Sequence, residues 1–358
     1  MNIVILGLSI TSSWGNGHAT TYRSLVKGLF KRGHTVHFLE RDVPWYANQR
    51  DAKRFDYCKV SLYNSLSELQ INYKQEIQNA DLVIVGSYVP EGVEAGKWVL
   101  RNAGGITAFY DIDTPVTLSK LKKGEYEYIH PELIPQYDLY LSFSGGRVLE
   151  IFTLEYGSPG AVPLYCSVDA DIYYPESVPK KWDIGYLGTY SDDRQPPLEK
   201  LLIEPAVKWT EGRFVVAGPQ YPETIVWPAN VVRIEHLPPA RHRRFYNEQR
   251  FTLNITRNDM IKMGHSPSVR LFEAAACGVP VISDYWEGLE DFFKAGSQIY
   301  IAKSPGDTLK YLQQISEQER MQVGQNARTI VLEKHTGEKR AKELEKYVLQ
   351  LRKKDLLI

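Results

Sequence analysis

Short apolar runs and amphipathic stretches take turns along most of this chain. Residues 2–6 read as a buried strand, and apolar positions then recur at helical spacing through Tyr22, Leu25, Val26 and Leu29 until Gly33. Residues 34–39 alternate into a second strand, which makes the opening a βαβ unit. The pattern predicts further strands over 80–86, 106–110, 137–143 and 161–165, with helices over 65–79 and 91–101 between them. Residues 166–182 are polar, contain prolines and show no period, so they read as a linker. A second series follows, with strands over 182–187, 214–217, 231–234, 250–255, 279–283 and 299–302. Its helices are predicted over 198–207, 266–277, 307–315 and 317–331, the last interrupted near Gly324, and residues 256–260 read as an exit loop. A charged helix over 336–351 carries an apolar stripe of Ala341, Leu344, Val348 and Leu351. Strands alternating with helices predict an α/β protein of two parallel-sheet halves, without obvious internal repetition.

Composition narrows this picture. A chain of 358 residues is long for one core and suits two domains, residues 1–170 and 181–335. Lysine plus arginine and aspartate plus glutamate both total 43, so no net field draws the chain to nucleic acid or an anionic membrane. The basic run from Arg241 to Tyr246 is short and reads as the solvated face of a helix rather than a nucleic-acid patch. Cys58, Cys166 and Cys277 are few and far apart, which argues against a disulfide framework and points to a reducing compartment. The N-terminal run lacks a basic leader, and no stretch approaches the roughly 20 apolar residues of a membrane span. A soluble cytoplasmic protein is expected, with peripheral membrane contact left open.

Candidate chemistry gathers at the ends of the strands, where open parallel sheets bind ligands. The loop through Gly15, Asn16, Gly17 and His18 lacks both the dinucleotide fingerprint and the P-loop spacing, but its glycines suit a sharp turn or a close approach to a ligand. His18 ionises near neutrality and is the candidate general base. The run Glu40-Arg41-Asp42-Val43-Pro44-Trp45-Tyr46 places charges and aromatics just past the second strand and is read as an acceptor contact, Asp42 in particular, or a salt-bridged turn. Asp111 and Asp113 follow the 106–110 strand, where two carboxylates can orient a histidine, hold a metal or contact sugar hydroxyls. A metal is the weaker reading, because no third ligand lies nearby in sequence.

In the second half Gly188 allows a close backbone approach, and Arg194 is placed to reach a phosphate. Arg257 and Lys262 are further diphosphate candidates. The stretch from Ser266 to Ser283 puts a serine cap, Ser266 or Ser268, at the start of a short helix that holds Arg270 and Glu273. Gly278 then ends that helix ahead of a buried strand.

The run Ser268-Val269-Arg270-Leu271-Phe272-Glu273-Ala274, with Cys277-Gly278-Val279-Pro280-Val281-Ile282, then Gly288-Leu289 and Phe292-Phe293, resembles the nucleotide-sugar-binding segment of GT-B glycosyltransferases. The likeness is nearest to the group 1 and spore-maturation CgeB-like enzymes. It implies two Rossmann-like α/β/α domains facing across a cleft: an N-terminal acceptor domain completed by the 336–355 helix, and a C-terminal donor domain. It also implies that Glu273 holds the donor ribose and that the helix start holds the diphosphate. Where many retaining members carry a second glutamate, this chain has His265, which leaves the retaining or inverting outcome open. Inverting members often pair a histidine after the first strand with an aspartate of the same domain, an arrangement similar to His18 with Asp111 or Asp113. The expected reaction is transfer of a hexose from a nucleoside diphosphate sugar, such as a UDP-sugar, to a hydroxyl, with no metal or other cofactor. A nucleotide-sugar epimerase of the same fold and a non-catalytic nucleotide-sugar-binding protein are the alternatives. Base, sugar and acceptor are not legible.

Overall fold

Seven short runs of the first half line up as parallel strands, in a computed structural model that describes residues 1–14 and 17–355. They are β1 (Asn2–Gly7), β2 (Thr35–Arg41), β3 (Lys59–Tyr63), β4 (Leu82–Gly86), β5 (Ile106–Asp111), β6 (Leu139–Ser142) and β7 (Ala161–Pro163). Their spatial order is β3-β2-β1-β4-β5-β6-β7. Every residue of β4 is buried, as expected for a central strand covered on both faces by crossover helices.

Two compact units divide the chain, Met1–Ser167 with Thr336–Ile358, and Val168–His335. The last helix, Gly337–Asp355, therefore belongs to the first unit, where it packs on the helix His18–Lys31. Ala341, Leu344 and Val348 are wholly covered, so the apolar stripe is spent in this contact. The backbones nearly touch: a Cβ on Gly28 would lie 2.2 Å from the Gly337 carbonyl oxygen. Arg32 clasps the Glu345 carboxylate through Nε at 2.8 Å and Nη2 at 2.5 Å, and Tyr347 donates to the Pro163 carbonyl at 3.0 Å.

The second unit holds β8 (Trp182–Leu187), β9 (Phe214–Ala217), β10 (Val231–Ile234), β11 (Gln249–Asn254), β12 (Val281–Ser283) and β13 (Tyr300–Ile301). All are parallel, in the order β10-β9-β8-β11-β12-β13. Ile184, Phe214, Val216, Phe251, Leu253 and Ile282 from the strands pack with Leu201, Leu202 and Leu312 from the helices. In both sheets the order reverses beside the first strand, between β1 and β4 and between β8 and β11. Such a switch point opens a crevice at the carboxyl ends of the strands.

Several local expectations need correction. Strand β3 was not foreseen: as a sheet edge it is mostly half-buried, and its Lys59-Val60-Ser61 start gives little apolar signal. The expected exit loop after β11 contains the helix Asn258–Met263. The expected 65–79 helix breaks at Tyr73 into Leu66–Asn72 and Lys74–Asn79. Within 198–207 the chain widens into a π turn at Glu199–Ile203 just ahead of Pro205, which has no N–H to offer the preceding turn. Gly324 interrupts nothing, since the helix Glu317–Lys334 runs straight through it. A Cβ there would lie 2.2 Å from the Gly278 carbonyl oxygen, so this glycine serves close packing.

Candidate functional site

The crevice of the second unit is built from the ends of β8, β11 and β12 and the start of the helix Val269–Ala276. Asn254, the fully buried last residue of β11, gathers it: its Oδ1 accepts from Ser268 Oγ at 2.8 Å and Arg270 Nη1 at 3.0 Å, and its Nδ2 donates to Ser283 Oγ at 3.0 Å. Ser268 occupies the N-cap position, but its hydroxyl is committed to Asn254 and does not cap. Ser266, also buried, donates to the Gly264 carbonyl at 2.8 Å. Neither serine plays the capping part the sequence suggested. The helix start is thus left without a side-chain cap, an arrangement that suits an incoming anion.

Two guanidinium groups meet there. Arg270 donates to the Leu187 carbonyl and to Asn254, and lies 5.0 Å from the Tyr186 ring centre. Arg194 donates to Ser191 Oγ at 2.8 Å and the Thr189 carbonyl at 2.7 Å. Among the described residues no carboxylate forms an ion pair with either. Burial, with the like charges of Arg270 and Arg257, pushes Arg194 below the usual guanidinium range. Arg257 stands at the N-cap of the Asn258–Met263 helix and stabilises the nearby Asp193 carboxylate. Gly188 has no room for a side chain, because a Cβ would lie 2.5 Å from the Tyr186 hydroxyl. That hydroxyl is buried and unbonded among the described residues.

The remaining expected donor residues sit differently. Glu273 is 4% exposed, and Tyr246 donates to its Oε2 at 2.9 Å while Tyr173 also hydrogen-bonds it. A carboxylate can accept about four such bonds, so two hydroxyls leave capacity for a ligand. His265 adopts a left-handed backbone at φ 46° and donates from Nδ1 to Asp291 Oδ2 at 2.8 Å. Its ring lies over Gly288, and no arginine of the crevice is among its hydrogen-bond partners. Lys262 is exposed. Asn254, Tyr186, Tyr246 and Tyr173 escaped the sequence reading; for Asn254 a signal existed, since it ends the strand beside the switch point.

The corresponding crevice of the first unit is chemically different. His18 opens the helix His18–Lys31 behind Gly17, and its partly buried ring meets Tyr88 edge-on at 5.3 Å. Burial lowers the imidazole to about 4, and Nδ1 has no hydrogen-bond partner among the described residues. Tyr88 holds a left-handed φ of 61° and donates to Asp113 Oδ2 at 3.1 Å. Tyr88 thereby links Asp113 to the His18 ring. Asp111 is fully buried and accepts from Tyr140 at 2.6 Å, Thr117 at 2.7 Å and the Asp113 amide at 3.2 Å. Burial raises it to about 7, so it is a structural acceptor rather than an open partner for His18.

Glu40, read from the sequence with its neighbours as an acceptor contact or a salt-bridged turn, instead organises the loop after β1. Its buried carboxylate accepts from Ser9 Oγ at 3.1 Å, Ile10 N at 2.7 Å, Thr11 N at 3.0 Å and Thr11 Oγ1 at 2.6 Å. Asp42 pairs with Arg50 at 2.6 Å, which is the salt-bridged turn. Gly15 and Asn16 lie outside the described residues. Among the described residues no three His, Cys, Asp or Glu side chains cluster as a metal site, and no helix is long and apolar enough to cross a membrane.

Solved structures with this architecture cover nearly the whole chain. The α-glucosyltransferase in complex with UDP aligns at TM-score 0.73 and 12% identity, over 98% of this chain and 100% of that one. Sucrose-phosphate synthase from Thermosynechococcus elongatus gives TM-score 0.68 and 13% identity, over 98% of both chains. Residues 194–346 match the family model described as glycosyl transferase-like. This chain has the GT-B fold. The segment that resembles the glycosyl transferase-like family takes in Arg194, Arg257, Arg270 and Glu273. Anabaena HepE in complex with UDP and glucose is also similar to this chain, at TM-score 0.67 and 10% identity over 98% of this chain and 100% of that one. No curated protein matches it by sequence.

Proposed function

We propose that this chain is a glycosyltransferase that moves a hexose from a UDP-sugar to an acceptor hydroxyl, with the donor held in the second unit. The observation that carries the reading is the pair of guanidinium groups, Arg194 and Arg270, which form no carboxylate ion pair among the described residues and stand at a helix start that no side chain caps. Asp193 and Asp284 are near enough to feel these charges but do not pair with them directly, so the guanidinium donors not already engaged can meet an anion, and a diphosphate is a fitting one. The structures solved with UDP favour uridine as the base. Glu273 accepts the ribose hydroxyls, with Tyr246 and Tyr173 fixing its carboxylate.

In transfer, the acceptor oxygen bonds to the anomeric carbon while the carbon–oxygen bond to the diphosphate breaks. The electron pair stays on the departing phosphate, where Arg194, Arg270 and the helix start stabilise it. His18 takes the hydroxyl proton at its unpartnered Nδ1. Its lowered pKa keeps it neutral, and therefore able to accept, at physiological pH. Asp113 positions Tyr88, and Tyr88 the imidazole. The acceptor is read as not nucleic acid, although one similar α-glucosyltransferase was solved with DNA. In this chain Arg243 and Arg244 are engaged by Glu176 and Glu248.

The test is product analysis with UDP-glucose alone and with an acceptor mixture. UDP release that depends on acceptor supports transfer; an epimerised sugar nucleotide from donor alone would replace it with the epimerase reading. His18→Ala should lower transfer about 10²–10⁴-fold, the usual worth of a general base, with UDP affinity unchanged. Equal rates for the two proteins would remove His18 from that role.

A further inference from the structure

The donor crevice and His18 leave unused a pocket of about 330 Å³ in the first unit, lined by Trp14, Pro44, Trp45, Asn48 and Gln49. Trp45 sits on the short helix Pro44–Ala47 and is 64% exposed, a large apolar surface left in water. Its setting is braced rather than loose. Arg50 ties Asp42 to Thr11, Ser12 Oγ donates to the Gln49 carbonyl at 2.7 Å, and the amides of Asp51 and Ala52 donate to the Thr11 carbonyl. The side chains of Asn48 and Gln49 are exposed and have no hydrogen-bond partner among the described residues.

This lining selects a ligand class. Indole faces present broad, rigid apolar surface, and two carboxamides offer both donors and acceptors. None of the five lining residues is charged, so a phosphate-rich acceptor finds no counter-ion in the pocket. A sugar ring has an apolar face of C–H groups and a rim of neutral hydroxyls, and so matches both parts. The volume lies at the low end of small-molecule sites, roughly 300–1,000 Å³, which suits a short saccharide. Trp14 also belongs to the loop that ends at His18, at the same end of the parallel strands.

We infer that Trp14, Pro44, Trp45, Asn48 and Gln49 form an acceptor subsite for an uncharged sugar ring, so that the hydroxyl glycosylated belongs to a carbohydrate. The inference rests on the transfer reading above for its role as an acceptor site. Its binding claim can be tested without turnover.

The experiment is saturation-transfer NMR on the full chain with the methyl glycosides of glucose, galactose, mannose and N-acetylglucosamine, alongside UDP titration by calorimetry. Ring C–H protons of at least one glycoside should receive saturation from the wild type. Trp45→Ala should weaken that binding roughly tenfold, the scale of one aromatic contact, while Trp45→Phe retains most of it. UDP affinity should be the same in all three proteins, and melting temperatures check the fold. No glycoside signal from the wild type, or an undiminished one from Trp45→Ala, would overturn the subsite. If UDP fails to bind but glycoside binding still depends on Trp45, the donor reading falls and the sugar subsite stands. If UDP binds and no glycoside signal appears, the sugar subsite falls and the donor reading stands.

Discussion

The two switch-point crevices arise from the same strand order yet carry opposite electrostatics. In the second unit, Arg194, Arg270 and Arg257 gather, and among the described residues no carboxylate forms an ion pair with Arg194 or Arg270. In the first, burial moves both main titratable groups toward their neutral forms, His18 down to about 4 and Asp111 up to about 7. Glu40 in turn is saturated by four hydrogen bonds. Topology places a crevice, and side chains decide its ligand. On the proposed function, one crevice takes the anionic donor and the other serves proton transfer to neutral hydroxyls.

The comparison breaks most sharply at the arginines. With each charge-assisted bond worth about 1.5–3 kcal/mol, the Arg194→Ala, Arg270→Ala double variant should weaken UDP about 10³-fold in calorimetry. An unchanged affinity would move the diphosphate elsewhere. Next in size is Glu40→Ala, which leaves buried donors of Ser9, Ile10 and Thr11 unmet. A loss of about 3 kcal/mol in urea unfolding is expected, and one below about 1 kcal/mol would show that the loop does not depend on this clamp. Glu273→Ala, which on the proposed reading removes the ribose contact and also frees the Tyr246 hydroxyl, should cost about tenfold in UDP affinity.

The smallest effect is in pH dependence. His18 has a folded-state pKa below its unfolded value, so its contribution to stability is present above about 6.5 and lost as pH falls through about 4. Asp111 is the opposite case: a raised carboxyl is more stable in the fold at low pH, and that contribution fades as pH rises from about 3.8 through about 7. The two slopes partly cancel in the wild type. Melting temperatures measured from about pH 4 to 7 should therefore fall with rising pH in His18→Gln relative to wild type, and rise in Asp111→Asn. Parallel curves for all three proteins would contradict the neutral crevice.

Much of the architecture was legible. Apolar runs of strand length alternating with amphipathic helices identify two parallel α/β series, because a strand covered on both faces needs apolar residues throughout. The run from Ser268 to Ile282 pointed to an anion site through its residue types, and to a sugar nucleotide through its resemblance to GT-B enzymes. What stayed hidden depended on partners far away in sequence. Gly324 looks like a helix breaker until Gly278 is found against it, and Glu40 looks like a surface charge until the loop after β1 folds over it.

The sequence by itself determined the alternation of strands and helices and the kind of chemistry each segment carries, since both follow from local periodicity and residue type. Only the tertiary structure decided which groups meet and in what charge state. Arg194 and Arg270 are 76 positions apart and share one crevice only after β8 and β11 pair, which lets Asn254 and the Leu187 carbonyl hold Arg270 beside the loop after β8 that holds Arg194. The same holds for Asp111, whose buried setting turned an apparent catalytic carboxylate into a structural acceptor. Burial and proximity set the cost of a charge, and neither exists until the chain has folded.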